Sequence, residues 1–203
     1  VLRPPVMNYP LNYEFESSVT DISRQRISSR TTVLLHPGEF YLGIKPKELF
    51  VKAGDSIATS VLAVDPKGKR IGNIKAQGTL YRRTWHSVRK KGMNGAHYFD
   101  TRPKDTIVGK CSVTTDKEAK VCDIVAKSAG YYALKMSGTD SRGNPIHSST
   151  SYYVTGRDFV PWRRGNDNRV ELIPDRKTYE VGQVAKILVK SPFPLAHGLF
   201  TVE

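Results

Sequence analysis

Tyr13-Glu14-Phe15-Glu16-Ser17-Ser18-Val19 places aromatic or apolar side chains at positions 13, 15 and 19, with carboxylates and hydroxyls between them. Side chains alternate across a strand, so such a run buries one face and wets the other. The same period of two returns along residues 57–64, 132–136 and 184–189, each run bounded by Gly, Pro, Asp or Ser. No window carries an amphipathic helical stripe of useful length. Turn-forming clusters fall between the runs, at Asp65-Pro66-Lys67-Gly68, Ser141-Arg142-Gly143-Asn144 and Gly165-Asn166-Asp167-Asn168. Short strands, turns and no helices predict an all-β chain folded as an antiparallel β-sandwich.

The opening stretch has a second copy. Laid over residues 132–154 at an offset of 119, residues 13–35 pair Tyr13 with Tyr132, Ser18 with Ser137, and Thr20-Asp21 with Thr139-Asp140. Farther along, Ile27 meets Ile146, Ser29 meets Ser148 and Thr31 meets Thr150. Both copies read as strand, Thr-Asp turn, strand. A weaker correspondence at an offset of 128 matches Pro46, Gly54 and Val61 with Pro174, Gly182 and Val189. Repeated units imply an array of domains. The expected layout is the tail of one unit at residues 1–36, a complete unit at 37–156 and the head of a third at 157–203. The flanking pieces are too short to bury a sandwich core alone, so the chain reads as a slice of a longer protein.

Composition agrees with a folded, water-exposed chain. Hydrophobic residues make up 38%, enough for an ordinary core. No apolar run approaches the ~18 residues of a membrane-spanning helix. The start lacks a charged segment followed by an apolar one, so any signal peptide or anchor is expected outside this stretch. Lys and Arg number 32 against 19 Asp and Glu, a formal net charge of +13. That balance favours acidic partners without choosing among nucleic acid, lipid headgroups, a bacterial envelope or an acidic protein.

The junction after the complete unit carries a resemblance. Val160-Pro161-Trp162-Arg163-Arg164, Val170-Glu171-Leu172, Asp175, Tyr179, Gly182, Lys186-Ile187-Leu188-Val189-Lys190-Ser191-Pro192-Phe193 and Thr201-Val202-Glu203 resemble a stretch of the bacterial alpha-2-macroglobulins. There it forms the linker and opening strands of the macroglobulin domain leading into the bait region. His36-Pro37 with Phe40-Tyr41-Leu42-Gly43-Ile44 is similar to the start of the preceding macroglobulin domain. Ala129-Gly130-Tyr131-Tyr132, Asp140 and Gly143 are similar to its closing hairpin. The resemblance implies immunoglobulin- or fibronectin-III-like sandwiches, complete at 37–156 and partial on either side. It also implies a scaffold role in a protease-trapping inhibitor of the bacterial envelope. In that family a protease cuts an exposed bait and is caged as the domains rearrange. The reactive Cys-Gly-Glu-Gln motif of many members is not in this sequence. Proteases, through the intact protein, and neighbouring domains of the same chain are the implied partners. The implied location is periplasmic or extracellular, with any membrane anchor lying outside this stretch. The alternative is a basic, immunoglobulin-like binding module from a surface adhesin or polysaccharide-binding protein, since fold does not decide function.

Catalytic chemistry is not expected. His36, His86, His97, His147 and His197 never fall at metal-ligand spacing with a Cys or carboxylate. No nucleophile elbow, zinc-protease motif or phosphate-cradling loop occurs. Gly92-Met93-Asn94-Gly95 looks like a hairpin tip, and Asp65, Asp105, Asp140 and Asp167 read as turn carboxylates. No catalytic residue, cofactor site or metal site is therefore assigned. The densest basic run is Arg82-Arg83-Thr84-Trp85-His86-Ser87-Val88-Arg89-Lys90-Lys91. It is read as a hairpin arm with Trp85 in or near the core and Arg83 stacked between Tyr81 and Trp85. Because the resemblance implies an envelope setting, its candidate partner is an acidic envelope surface, and nucleic acid is not expected. Trp162 is read as an apolar plug between consecutive domains.

Cys111 and Cys122 are the only cysteines. A four-residue loop at residues 115–118 would set them opposite each other on neighbouring antiparallel strands, with Cα atoms about 4.5–5.5 Å apart, within disulfide range. The competing reading is two buried free thiols. A disulfide here would indicate an oxidising compartment.

Overall fold

The repeat read from the sequence is a repeat of hydrogen-bonded registers. The computed structural model describes residues 9–93, 95–157, 160, 162, 170–176, 178–191, 193 and 195–201. Strand β1 (Leu11–Thr20) runs antiparallel to β2 (Arg26–Leu35), and β10 (Gly130–Thr139) runs antiparallel to β11 (Pro145–Thr155). Leu11 faces Leu35 in the first hairpin and Gly130 faces Val154 in the second; every pair down to Thr20–Arg26 and Thr139–Pro145 keeps the offset of 119. The turns match as well. The Asp21 N–H donates to the Gln25 carbonyl (3.0 Å) and Arg24 donates to that of Asp21 (3.1 Å); Asp140 and Asn144, and Gly143 and Asp140, repeat both bonds at 3.1 Å. Each Asp carboxylate accepts the N–H four residues on, at 2.8 Å. The loop needs a left-handed residue at its fourth place, which Gly143 supplies freely (φ 84°) and Arg24 (φ 66°) at a steric cost.

The weaker correspondence is equally a match of ladders. Strand β3 (Tyr41–Pro46) pairs antiparallel with β5 (Ser56–Val64), Pro46 facing Thr59 and Ile44 facing Val61. Strand β12 (Glu171–Pro174) pairs with β13 (Ile187–Lys190), Pro174 facing Ile187 and Leu172 facing Val189. Each partner is shifted by 128. Strand β13 starts at Ile187 rather than at Val184, because Asp175 accepts the Lys186 N–H on its carboxylate and closes the loop there. The Gly165–Asn168 turn, with Asp167, lies outside the described residues.

Between these hairpins stands the sandwich. One sheet runs β4 (Phe50–Lys52), β11, β10, β7 (Lys75–Lys91), β8 (His97–Thr114). In the other, β5 is central, with β3 on one side and β6 (Arg70–Ile71) and β9 (Lys120–Val125) end to end on the other. Among the described residues all regular structure is strand, and the three-residue pairing of β4 with β11 is the one parallel ladder. Alternation fills the space between the sheets. Phe40, Ile57, Val61, Leu80, Leu134, Met136, Tyr132, Tyr152 and Val154 are all at most 2% exposed, each aliphatic side chain contributing about 1.5–3 kcal/mol by leaving water. Buried polar groups find partners: the Tyr152 hydroxyl bonds Thr59 of the facing sheet, and the Tyr132 hydroxyl donates to the Ser128 carbonyl at 2.7 Å.

A second tie between the sheets corrects an expectation. The segment after Cys111 is not a hairpin. Strand β8 pairs with β7, with Cys111 opposite Gly78, whereas β9 pairs with β5, with Cys122 opposite Thr59. The chain arches from one sheet to the other, and the sulfurs of Cys111 and Cys122 join across the core, Cα atoms 5.8 Å apart. Inward alternation on both strands (Cys111 with Val113, Cys122 with Ile124) turns the two thiols toward each other. Gly78 leaves them room: a Cβ there would collide with the Cys111 sulfur and come within 2.7 Å of Met136 Sδ.

The unit is closed by Asp140, which is only 8% exposed. Its carboxylate accepts N–H groups from Glu39 (3.2 Å), Arg142 (3.0 Å) and Asn144 (2.8 Å), plus the Asn144 amide (2.8 Å). The residues entering β3 are thereby fastened to the turn of the closing hairpin.

Candidate interaction site

Two adjacent tyrosines on one strand must point to opposite faces. In β10 and β11 the inward members are Tyr132 and Tyr152, so Tyr131 and Tyr153 stand on the outer face of the five-stranded sheet. Register extends this into one row crossing the whole sheet: Asp105, Arg83, Tyr131, Tyr153, Phe50. Arg83 grips Asp105 with two bonds of 2.7 Å. That pair holds the Asp105 carboxyl below its usual range and raises the Arg83 guanidinium. Being one-third exposed, it contributes at most about 1 kcal/mol.

The aromatic part of the row packs edge to face. Trp85 meets Tyr131 at 5.1 Å, Tyr131 meets Tyr153 at 5.5 Å, and Phe50 meets Tyr153 at 6.2 Å. Trp162, beyond the sandwich, caps Tyr153 at 5.8 Å. The Lys190 ammonium of β13 lies 5.5 Å from the Tyr153 ring and 6.0 Å from that of Trp162, and it pairs with Glu171 of β12. Burial, then the neighbouring Glu171 charge and Tyr131, pushes the Tyr153 phenol up to about 12. Edge-to-face pairs contribute about 0.5–1.5 kcal/mol each beyond area burial, and a part-buried cation–π contact contributes a similar amount. The arrangement is a joint between the sandwich and the strands that follow it. A cleft of about 290 Å³ beside it is lined by Glu48, Lys52, Asp55 and Lys186 together with Phe50, Thr155 and apolar side chains of β4 and β13.

The residues singled out by sequence fall as follows. Trp85 lies on the outer face against Tyr131 rather than in the core, and Arg83 is bound to Asp105 instead of stacking on rings. Asp105 is not a turn residue; it sits within β8, whereas Asp65 and Asp140 do cap turns. His36 bonds the Tyr41 hydroxyl at 2.7 Å. His86 and His97 are exposed on the β7–β8 hairpin, and His197 is exposed. Burial, then nearby Lys135, lowers the His147 pKa. Among the described residues no three His, Cys, Asp or Glu converge as metal ligands would. Arg163 and Arg164 lie outside the described residues. Sequence reading missed Phe50, Tyr131, Tyr153 and Lys190. The doublets Tyr131-Tyr132 and Tyr152-Tyr153 were the available signal, since one member of each has to leave the core.

No protein-family profile matches the chain. Over 194 residues, 96% of its length, it is 22% identical to an alpha-2-macroglobulin homolog from Nostoc sp., of which the match covers 10%. The native conformation of Escherichia coli alpha-2-macroglobulin aligns over 90% of this chain and 12% of that chain, with a TM-score of 0.53 and 17% identity. The same E. coli protein activated by porcine elastase aligns over 81% of this chain and 14% of that chain, with a TM-score of 0.51 and 17% identity. These structures share the fold. The chain spans about a tenth of the length of the curated relatives it matches.

Proposed function

We propose that this chain, a relative of the bacterial alpha-2-macroglobulins, is a non-catalytic scaffold segment of a protease-trapping inhibitor of the bacterial envelope. It comprises the closing hairpin of one macroglobulin-like domain (1–36), a complete domain (37–156), and the linker and opening strands of the next (157–203). The observation that carries this reading is the doubled register with bare faces. Phe15, Ile27, Val33 and Leu35 are 37–76% exposed, while their counterparts Leu134, Ile146, Tyr152 and Val154 are at most 4% exposed. Val189 is 48% exposed where its counterpart Val61 is fully buried. Side chains with core identities and no core are what strands of neighbouring domains present when their partners are elsewhere.

Support for proteases as partners comes from the elastase-activated state of the E. coli relative. The Cys111–Cys122 bond and the net charge of +13 support an oxidising compartment and an acidic setting. The test uses the whole protein, incubated with elastase and then separated from free enzyme. A trap retains elastase that still cleaves small chromogenic peptides but no longer digests a large protein substrate. Unimpaired digestion of large substrates, at any ratio of inhibitor to elastase, overturns the reading.

A further inference from the structure

Strand β10 leaves β7 after the Tyr131–Arg83 pair. Beyond it, β7 and β8 continue alone for eight pairs, from Thr84–Lys104 to Lys91–His97, a ribbon of about 25 Å at 3.3–3.4 Å per residue. Among the described residues no third strand joins it. Its turn is closed by Gly92 N–H to the Ala96 carbonyl (2.8 Å) and Gly95 N–H to the Gly92 carbonyl (3.0 Å). Residues 84–104 carry five cations, Arg89, Lys90, Lys91, Arg102 and Lys104, against the single carboxylate Asp100. Asp100 is already paired with Lys90 and, at 3.5 Å, with Arg102.

The far end of the ribbon is also apolar. Met93 in the turn is fully exposed, Val88 is 58% exposed and Tyr98 is 43% exposed. Register puts Val88 and Tyr98 on one face, since Lys90 stands opposite Tyr98 and Asp100 opposite Val88. Scattered exposed apolar residues need no explanation. Met93 in the turn, with Tyr98 and Val88 farther back on the face that also carries the Lys90–Asp100 pair and with Arg89 and Lys91 on the opposite face, makes the tip amphipathic when it is met end-on. Apolar side chains of that kind enter the headgroup and acyl boundary while cations meet lipid phosphates, and tyrosine favours the same layer. A single-stranded nucleic acid would instead require rows of stacking rings, and Trp85 is taken up by Tyr131.

We propose that the tip of the β7–β8 hairpin docks end-on on an anionic phospholipid bilayer, with Met93, then Tyr98 and Val88, entering the interface and Arg89 and Lys91, from the other face of the ribbon, contacting phosphates. The test is co-sedimentation of the 203-residue chain with vesicles of phosphatidylcholine alone or containing phosphatidylglycerol. Binding is expected only to the anionic vesicles. Arg89→Gln with Lys91→Gln lowers the partition coefficient about thirty-fold, from roughly a factor of five per cation at an anionic surface. Met93→Ser lowers it several-fold at unchanged charge. Circular dichroism checks that both variants stay folded. No binding to anionic vesicles, or binding that neither substitution changes, overturns the proposal. Binding that Met93→Ser leaves intact and that short duplex DNA competes away also overturns it, because that outcome marks a polyanion site without a membrane component.

Discussion

Gly78→Ala introduces a single methyl group at a crowded point between the sheets. Its Cβ would overlap the Cys111 sulfur and lie 2.7 Å from Met136 Sδ and 3.1 Å from the Cys122 sulfur. The disulfide is anchored in both sheets and cannot swing aside as a free side chain would. Overpacking a filled core costs about 1–3 kcal/mol, and replacing Gly within a strand returns roughly 0.5–1 kcal/mol. The net expectation is a loss of about 1–2 kcal/mol, a fall in melting temperature of roughly 5–10 °C for a unit of this size. The partner experiment removes the obstacle. Cys111→Ala with Cys122→Ala costs about 3 kcal/mol for a short loop on the chain-entropy model. In that background, of the three nearest atoms only the flexible Met136 thioether is left to yield, and the cost of Gly78→Ala falls toward zero. Urea unfolding of all four proteins closes the cycle. An equal cost of Gly78→Ala with and without the cysteines would falsify the idea that the glycine exists to seat the disulfide.

The bond itself is read by mass spectrometry of unreduced, alkylated protein: a cross-linked peptide pair carrying Cys111 and Cys122 is expected, and two alkylated thiols would refute it. Burial raises the Asp140 carboxyl pKa, but the Asn144 amide and the N–H groups of Asn144, Glu39 and Arg142 more than offset this, so it ends below its ordinary value. With the folded pKa depressed, the stabilisation is complete above about pH 4, near the unfolded value, and disappears as pH falls through the folded one. The urea midpoint of Asp140→Asn should therefore lie below wild type at neutral pH and converge with it in acid; a constant gap sinks the account. Trp162→Ala and Lys190→Met both strip contacts from Tyr153. Amide exchange in β12–β13 should quicken in each, and the double variant should add less than the sum of the two. Full additivity would mean that they do not share one joint.

The two repeats were legible because a hairpin constrains its sequence twice, through inward positions and through the turn. Asp21 and Asp140 both accept the N–H four residues on and close the same backbone turn, so the Thr-Asp step was a sound marker. The cysteines were harder. Ten residues between two cysteines on alternating strands suit a hairpin and an arch equally well, and alternation does not say which sheet receives the second strand. Asp105 was misread because Pro103-Lys104-Asp105 has the composition of a turn. Strand β8 is a sheet edge, where a proline forfeits no ladder bond to an outer neighbour. The Tyr153 joint depends on residues from β4, β11 and β13; Phe50 reaches it through a pairing across more than a hundred positions and Lys190 through a contact between strands that do not pair, and local pattern carries no record of either. Phe50 lies on a three-residue parallel strand, below the length at which alternation can be read at all.

The bond from the Glu39 N–H to the Asp140 carboxylate has a mechanical meaning. Strands β3 and β11 both start at the Asp140 end and run the same way, so the chain enters the unit at one end and leaves at the other. Eleven residues of β11 separate those ends by about 35 Å. Tension along the polypeptide would slide the first strand against the last in shear. It would thus load the interdigitated core and the sulfur bridge together, whereas peeling would break ladder bonds one at a time.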